Sequence, residues 1–352
     1  MRRDGQVLRL ALPSKGRLYE RSVAFLSECG FGLGREDSGR EYVTALTGID
    51  NVLVMYFRPE EIPARIDQSN VDLGITGEDL YREFGEGSAL SHLLLPKLGF
   101  GAARLTVAVP QSWIDVTSLS DIDEVAMSYR LKRGQNLRVA TKFPKLTRTF
   151  FSANGISNYR IVESSGATEG APAAGIADMI VDLTSSGATL AQNHLKEITG
   201  GTVLETDACL IAARRESLWT PAKFRILDHF VEQIEARQYA NLLSLLRFSV
   251  EESKAERTRH HLVGTLGCSI VSHQARQTDR TDSAGAPSHD IVATCPTDKV
   301  YAAVAFLRSM DSIRIVATRC EFLYDRPSPA CEAFYQILKR GCYDDGSPNE
   351  RH

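Results

Sequence analysis

The feature that most constrains the fold is an alternation of short apolar strands with turns and amphipathic helices between residues 7 and 213. The predicted strands are rich in β-branched and other large apolar residues, and they lie at residues 7–12, 52–57, 71–77, 105–109, 137–141, 159–163, 179–183 and 208–213. Helices are expected to follow, starting near Leu18, Pro59, Glu78 and Phe143. Alternation of this kind predicts an α/β architecture.

Weaker patterns give further expectations along the chain. Short helices are predicted at 171–177 and 190–197, and a long helix over 222–248. Residues 262–271 resemble a strand, and 290–317 resemble a β-α-β unit. Two polar segments, 274–289 and 343–352, are expected to form a mobile loop and a disordered tail.

Composition places the chain among folded proteins with a sizeable core. It has 352 residues, 43% apolar and 24% charged, and a formal charge of −3. A general nucleic-acid binder is usually basic, so nucleic acid is not an expected partner. No apolar run approaches the ~20 residues of a membrane span, and Arg9 and Lys15 interrupt the first apolar stretch. We therefore expect a cytoplasmic protein without a membrane partner.

Cysteine and histidine usage does not indicate a transition-metal site. There are 7 cysteines, an odd number, and no CxxC pair, so neither a disulfide framework nor a zinc knuckle is predicted. The 8 histidines are scattered without metal-ligand spacing. A hard cation held by carboxylates remains open.

The region between Val162 and Leu190 carries the most chemistry. A predicted strand ends at Asp182, and a helix follows a loop of small and hydroxyl residues: Thr184, Ser185, Ser186, Gly187, Ala188 and Thr189. Backbone N–H groups and hydroxyls in such a loop suit a phosphate. Asp178 and Asp182, four residues apart, suit Mg²⁺ or ribose hydroxyls. The alternative is a capped helix with surface acids.

Other turns at predicted strand ends could contribute to the same cleft. Pro13–Arg17 and Phe143–Arg148 place cations at helix starts, where they oppose the helix dipole unless an anion is near. Asp72–Asp79 combines glycines with a threonine. Each alone is equally well explained by solvated cations or a tight turn. Together they suggest a ligand cleft, because ligands of open α/β sheets bind at the carboxyl ends of strands.

Several common catalytic arrangements are absent from the sequence. It contains no GxSxG elbow and no Walker GxxxxGK[ST] loop. The glycines of Gly30–Gly34 do not match GxGxxG, and no predicted strand precedes them. No Ser/His/Asp or Cys/His set is evident.

Five segments in order resemble the ATP phosphoribosyltransferase family. The family motifs LPSKGRL, DLGITGxD, GFGxxRLxVAVP and VATKxPxLTRxFF match Leu12–Leu18, Asp72–Asp79, Gly99–Pro110 and Val139–Phe151. The signature E-x5-G-x-A-D-x-I-x-D-L-x-x-S-G-x-T-L matches Glu169–Leu190. Five ordered motifs spread over most of the first 190 residues make the resemblance specific.

The resemblance implies a two-lobed α/β catalytic unit like a type II periplasmic binding protein, with the chain crossing between lobes near 104 and 190. Lobe I would comprise 1–104 and 191–214, and lobe II, with the phosphoribosyl pyrophosphate loop, 105–190. Residues 222–325 would form an α+β regulatory domain of ferredoxin-like, ACT-type topology, and 326–352 a tail.

The resemblance also implies a reaction in which adenine N1 of ATP attacks ribose C1′ of phosphoribosyl pyrophosphate, with Mg²⁺ required and pyrophosphate leaving. This is the first step of histidine biosynthesis. Asp182 and Thr184–Thr189 would bind phosphoribosyl pyrophosphate; Asp178, Asp182 and Glu163 would be catalytic, the two aspartates near the metal. ATP or pyrophosphate would contact Ser14, Lys15, Gly16, Arg17, Thr76 and Gly77. Histidine would inhibit, and the protein would form a homo-oligomer, a hexamer.

Three other functions compete with this one. A solute receptor or effector domain of the same lobed fold would have no use for a phosphate loop with paired aspartates. An orotate- or purine-type phosphoribosyltransferase would lack the LPSKGRL and DLGITG turns. Against a regulatory paralogue without catalysis, the signature loop is complete in this sequence.

Overall fold

The structure, a computed structural model, describes residues 6–34, 43–164, 166–275, 287–324 and 327–344. The chain divides into two units: the first runs to Leu227 and resumes at Ala330, and the second covers Asp228–Pro329. Among the described helices, none combines the length and apolar character that crossing a membrane requires. Most of the predicted loop at 274–289 and of the predicted tail at 343–352 lies outside the described residues.

The first unit contains two sheets, and we call the part built on the larger sheet lobe I. Its strands are β1 Leu8–Pro13, β2 Gly32–Leu33, β3 Val43–Thr47, β4 Val52–Phe57, β5 Leu73–Gly77, β6 Ser91–Leu95 and, later in the chain, β12 Ala208–Ala213. Their order is β2-β3-β4-β1-β5-β12-β6, and β1 runs parallel to β4 and β5. The accompanying helices are α1 Gly16–Glu28, α2 Ile62–Asp67 and α3 Glu78–Phe84. Every residue of β5 and β12 is buried, which agrees with the small and apolar residues that make up most of both strands.

Lobe II is built on the second sheet of the same unit. Its strands are β7 Ala103–Pro110, β8 Leu137–Thr141, β9 Tyr159–Glu163, β10 Met179–Thr184 and β11 Leu195–Thr206. Their order is β11-β7-β10-β8-β9; β8, β9 and β10 are parallel, and β7 is antiparallel to its neighbours. The helices are α4 Leu119–Arg133, α5 Pro144–Ala153 and α6 Ala188–Gln192. Its core includes Phe143, Phe151 and Met179.

The second crossing between the lobes lies after Thr206, not near 190. The helix predicted at 190–197 is wrong, because α6 ends at Gln192 and His194 takes a left-handed conformation (φ 57°). The chain then forms β11, whose Leu195 and Ile198 are buried, and this strand pairs with β7 in lobe II. The helix predicted at 171–177 is also absent: a short 3-10 turn is followed by loop residues.

Each lobe has an equivalent arginine–aspartate ion pair that links two neighbouring parallel strands; we call each of these ion pairs a brace. In lobe I, Arg9 on β1 donates from its backbone N and its guanidinium to the Asp72 carboxylate, at 2.8–3.3 Å. In lobe II, Arg138 on β8 does the same to Asp178, at 2.8–3.2 Å. Each aspartate precedes the neighbouring strand and donates its own N–H to the arginine carbonyl. The two lobes therefore set strand register with equivalent contacts.

The predicted tail contains a helix, α10 Pro329–Asp344, that packs on lobe I. Phe334 is fully buried; its ring stacks on His92 with a 5.5 Å centroid separation and meets the Trp219 ring edge-on at 5.4 Å. Cys331 and Leu338, on the same face of the helix, are also buried. The sequence predicts only a tail over 326–352 and does not reveal this helix, because its apolar face is recognised only from the surface on which it packs.

The second unit contains one four-stranded antiparallel sheet. Helix α7 Pro221–Leu242 precedes its elements, which are β13 Leu243–Glu251, α8 Glu252–Gly264, β14 Ser269–Ala275, β15 Ser288–Pro296, α9 Val300–Ser309 and β16 Ile313–Arg319. The sequence β-α-β-β-α-β with strand order β14-β15-β13-β16 is the ferredoxin-like topology. The long helix predicted to 248 ends at Leu242, because Leu246 and Phe248 belong to the strand core. The strand predicted at 262–271 begins only at Ser269.

Candidate active site

The parallel strands of lobe II end at one edge of their sheet, and the residues after β10 form the centre of the candidate site. Gly187 takes a left-handed conformation (φ +76°) at the start of α6. Gly187 N donates to Thr184 Oγ1 at 2.9 Å, which closes the loop into a tight turn. The hydroxyls of Ser185 and Ser186 lie at the exposed side of this turn. The loop therefore has the compact, hydroxyl-rich form that the sequence predicts.

A cavity of about 460 Å³ separates this loop from lobe I. On the lobe II side it is lined by Leu183, Thr184, Ser185, Ser186 and Thr189. On the lobe I side it is lined by Arg17 and Arg21 of α1. Two guanidinium groups thus face a loop of hydroxyls across a space that can hold a small phosphorylated molecule.

Asp182 lies at the same sheet edge, two residues before the end of β10. The pKa of its carboxyl is raised above the ordinary value, mainly because the group is buried. The hydrogen bond from Leu183 N, at 2.8 Å, and the nearby Lys142 offset only part of this rise. Glu169 is close enough to oppose ionisation. Glu163 ends β9 next to Thr141 and is exposed, so it too lies at this edge. The structure therefore brings Asp182 and Glu163 to the edge that carries the loop.

Asp178 lies at the other end of β10. Asp182 follows four residues later along the strand, roughly 13 Å away at about 3.3 Å per residue. Its carboxylate is occupied by the brace with Arg138. The predicted pairing of Asp178 with Asp182 around one metal ion is therefore corrected: the strand direction separates the two carboxylates.

The N-terminal motif is divided by the fold. Arg17 lines the cavity, whereas Ser14, Lys15 and Gly16 form the exposed turn that connects β1 to α1. Ser14 N donates to Phe57 O at 2.7 Å, which fixes this turn against β4.

Thr76 and Gly77 do not line the cavity. Thr76 is fully buried and donates its hydroxyl to Pro59 O at 3.0 Å. Gly77 is the last residue of β5 and precedes α3, and a Cβ at this position would lie within 2.3 Å of Asp79 Oδ1. Both residues shape the turn after β5, and the structure gives neither a ligand-facing side chain.

Two features of the site were missed from the sequence. Arg21 follows Arg17 by four residues on α1, so helical spacing alone would have placed both on one face. Arg104, at the start of β7, donates to both oxygens of Glu197 at 2.6 and 2.8 Å. This ion pair lies beneath the loop, because a Cβ on Gly187 would be 3.2 Å from Glu197 Oε1. Only the pairing of β7 with β10 and β11 reveals it.

The two crossings between the lobes are joined by acidic side chains. Asp207 Oδ1 accepts from the N–H groups of Gly99 and Phe100, at 3.1 Å each. Thr206 donates its hydroxyl to Asp79 Oδ1 at 2.8 Å and accepts from Asp79 N at 3.0 Å. Burial raises the pKa of Asp79 above its ordinary value of 3.8, although the Thr206 hydroxyl lowers it.

Replacing Asp79 with asparagine should change how stability depends on pH. Because the folded-state pKa is raised, the folded protein binds more protons than the unfolded chain between pH 3.8 and that raised value, so ionisation of Asp79 lowers stability as pH rises through this window. The Tm of Asp79→Asn relative to the unmodified protein should therefore increase between about pH 4 and pH 7. A Tm difference that is constant over this range would contradict the assignment.

Within the described ranges, no group of three His, Cys, Asp or Glu side chains is placed to hold a metal ion. The carboxylates of Asp182 and Glu169, which lie near enough for their charges to interact, are the ones at this edge that could contribute ligands to a Mg²⁺ ion held mainly by water and substrate phosphates.

Comparison with known proteins supplies the family. The sequence model described as "HisG: ATP phosphoribosyltransferase" matches residues 58–236, about half of the chain. The ATP phosphoribosyltransferase of Rhodopseudomonas palustris BisB18 is 39% identical over 94% of this chain and 98% of its own length. The chain belongs to the ATP phosphoribosyltransferase family. It is thus an enzyme of the pentosyltransferase class, which decides against a solute receptor and against an orotate- or purine-type transferase.

Other relatives agree with this family. The ATP phosphoribosyltransferase of Bradyrhizobium diazoefficiens is 38% identical over 94% of this chain and 98% of its own length. That of Afipia carboxidovorans is 47% identical over 67% of this chain and 74% of its own length. A solved ATP phosphoribosyltransferase HisG:HisZ complex from Thermotoga maritima includes a chain that is 25% identical, with a TM-score of 0.49 over 65% of this chain and 96% of that chain. The strand orders confirm the α/β lobes and the additional α+β unit.

Proposed function

We propose that this chain joins ATP and 5-phosphoribosyl 1-pyrophosphate, with adenine N1 attacking ribose C1′ and pyrophosphate leaving, as the first step of histidine biosynthesis. The observation that supports this proposal best is the cavity in which Arg17 and Arg21 face the loop 184–189. The loop hydroxyls and amides bind the 5′-phosphate, and the guanidinium groups bind the more highly charged end of a substrate that spans both lobes.

The chemistry requires no covalent intermediate on the protein. Breaking the bond between C1′ and pyrophosphate develops positive charge on the ribose and negative charge on the leaving group. Asp182, at the edge of the loop, stabilises the ribose or holds its hydroxyl groups, and Arg17 neutralises the departing phosphate oxygens. Positioning two reactants in one cleft supplies much of the remaining acceleration. Glu163, at the same sheet edge as Asp182, and the exposed turn Ser14–Gly16, which directly precedes Arg17, would complete the binding surface.

Mg²⁺ is proposed as the cofactor, bound mainly by the substrate. When bound to the pyrophosphate group, it spreads the charge of the leaving group. Asp182 and Glu169 are the residues that would hold it from the protein side, and Asp178 has no part in this site.

The second unit is proposed to carry feedback inhibition by histidine, and the protein is proposed to be a cytoplasmic hexamer. The support for regulation is the ferredoxin-like topology of the unit, which resembles the regulatory domains of long-form members of the family. Repeating the assay with millimolar L-histidine tests it; unchanged turnover would show that residues 228–329 are not a feedback module.

The proposal is tested by mixing the protein with ATP, Mg²⁺ and phosphoribosyl pyrophosphate and following pyrophosphate release and the ultraviolet absorbance of the adenine product. Asp182→Ala should lower turnover about a hundredfold or more, because it removes a charge placed at the reacting centre. Asp115→Asn, which changes an exposed carboxylate of the same lobe, should leave turnover unchanged. If the unmodified protein releases no pyrophosphate, a regulatory paralogue is the better description.

A further inference from the structure

Pro144 and Lys145, at the start of α5, do not line the cavity. Lys145 nevertheless places a cation at a helix start, where the helix dipole disfavours one. The helix start is occupied by a side chain from the other lobe. Lys145 N and Leu146 N donate to Glu83 Oε1 and Oε2, at 2.8 and 2.9 Å. Glu83 belongs to α3 of lobe I and is buried.

The contact is reciprocal. Lys145 Nζ donates to the backbone oxygens of Arg82 and Glu86, at 2.8 and 2.6 Å, where α3 ends. A carboxylate at a helix start and an ammonium at a helix end are both favoured by the helix dipoles. Leu80, also on α3, packs against the apolar core of lobe II. Helix α3 of lobe I and helix α5 of lobe II are thus joined by two sets of hydrogen bonds, one at the Glu83 carboxylate and one at the Lys145 ammonium. We call this pair of contacts the tie.

Hydrogen bonds that involve an ionised group are stronger than neutral ones, especially away from solvent. Glu83 accepts two of them with a single carboxylate, and its exposure is only 7%. Glutamine at this position would keep one acceptor oxygen but would turn an NH₂ group toward the second amide. The tie therefore depends on the charge of Glu83 and not only on its size.

We propose that Glu83 and Lys145 are positioning residues that fix the angle between the lobes, and with it the gap between Arg17 and the loop 184–189. The inference rests on the proposed function, because its consequence concerns a substrate that contacts both lobes. Without the tie, the orientation that binds such a substrate is populated for less of the time. The apparent affinity for that substrate then falls by the same factor, whereas a ligand that contacts one lobe is not affected.

The test compares Glu83→Gln with Glu86→Gln, a control two residues beyond the end of α3, where the exposed side chain pairs with Arg82. For Glu83→Gln we expect the KM for phosphoribosyl pyrophosphate to rise about tenfold with kcat changed less than about twofold. Inorganic phosphate binds only to the loop 184–189, so its Kd, measured by calorimetry, should be the same in Glu83→Gln as in the unmodified protein. Amide exchange at Lys145 and Leu146 should be faster. Glu86→Gln should match the unmodified protein in all four measurements.

Lys145 provides a second route to the same conclusion if Glu83→Gln folds poorly. Lys145→Met should raise the KM in the same direction, and Lys145→Arg, which retains the charge and the donors, should restore it. A fall in kcat at constant KM, or an equal loss of phosphate affinity, would overturn the inference. Absence of turnover in the unmodified protein would instead reject the proposed function, while amide exchange would still show whether the tie exists.

Discussion

Replacing Gly187 with valine is expected to reduce turnover by about 10³-fold or more, since it displaces several loop donors at once. Gly187 holds φ at +76°, a conformation that a β-branched residue strongly disfavours. Its Cβ would also lie 3.2 Å from Glu197 Oε1, so the side chain would press on the ion pair between Glu197 and Arg104. The loop must then move away from the position in which it faces Arg17.

The matched control is Gly155→Val. Gly155 has nearly the same backbone angle, φ +75°, and no atom within 4 Å of its Cβ position, and it lies in the turn after α5. Both substitutions should cost about 1–2 kcal/mol of stability through backbone strain. Only Gly187→Val should lose turnover in the pyrophosphate assay. Equal losses of activity in the two variants would show that general destabilisation, and not loop geometry, is responsible.

The largest effect on stability is expected for Asp72→Asn. The Asp72 side chain is fully buried, and it binds the guanidinium of Arg9 at 3.2 Å and the ammonium of Lys223 at 2.8 Å. Lys223 is itself only 3% exposed, so removing the negative charge leaves a buried cation without its counter-ion. Losses of this kind are about 3–5 kcal/mol, and urea unfolding would measure them.

Two comparisons isolate the buried charge as the cause. Asp178→Asn changes the equivalent ion pair in lobe II, where Arg138 is 32% exposed and, among the residues that the structure describes, no lysine pairs with Asp178. This variant should lose about 1 kcal/mol or less and should keep its turnover. Adding Lys223→Met to Asp72→Asn should recover part of the lost stability, because the unpaired cation is removed. A double variant no more stable than Asp72→Asn would contradict this explanation.

The parts of the site that could be predicted from sequence are local ones. Asp182 and the loop 184–189 follow directly from a strand, a glycine and a run of hydroxyls, and the structure places them together. Asp178 was grouped with Asp182 because of their spacing, whereas its carboxylate is bound by Arg138, forty residues away in the chain. Thr76 was misjudged for a similar reason, since its hydroxyl is already bound to Pro59 O.

Two errors in the predicted elements share one cause. Residues 195–206 and 243–251 contain apolar residues at spacings that suit either a helix or a strand, and short apolar segments cannot be assigned from periodicity alone. Pairing with β7 in one case and with β15 and β16 in the other decides for the strand. Helix α10 was missed because its apolar face becomes stable only against Trp219 and His92.

The sequence by itself determined the α/β class, the phosphate loop and the family resemblance, because these depend on neighbouring residues and on ordered motifs. Tertiary structure alone decided which cations meet the loop, which carboxylates are braces and where the chain crosses between lobes. Those properties depend on contacts between distant residues, such as Arg17 with the loop cavity, Arg104 with Glu197 and Glu83 with the start of α5. Spacing along the chain does not encode such distances; strand order and helix packing do.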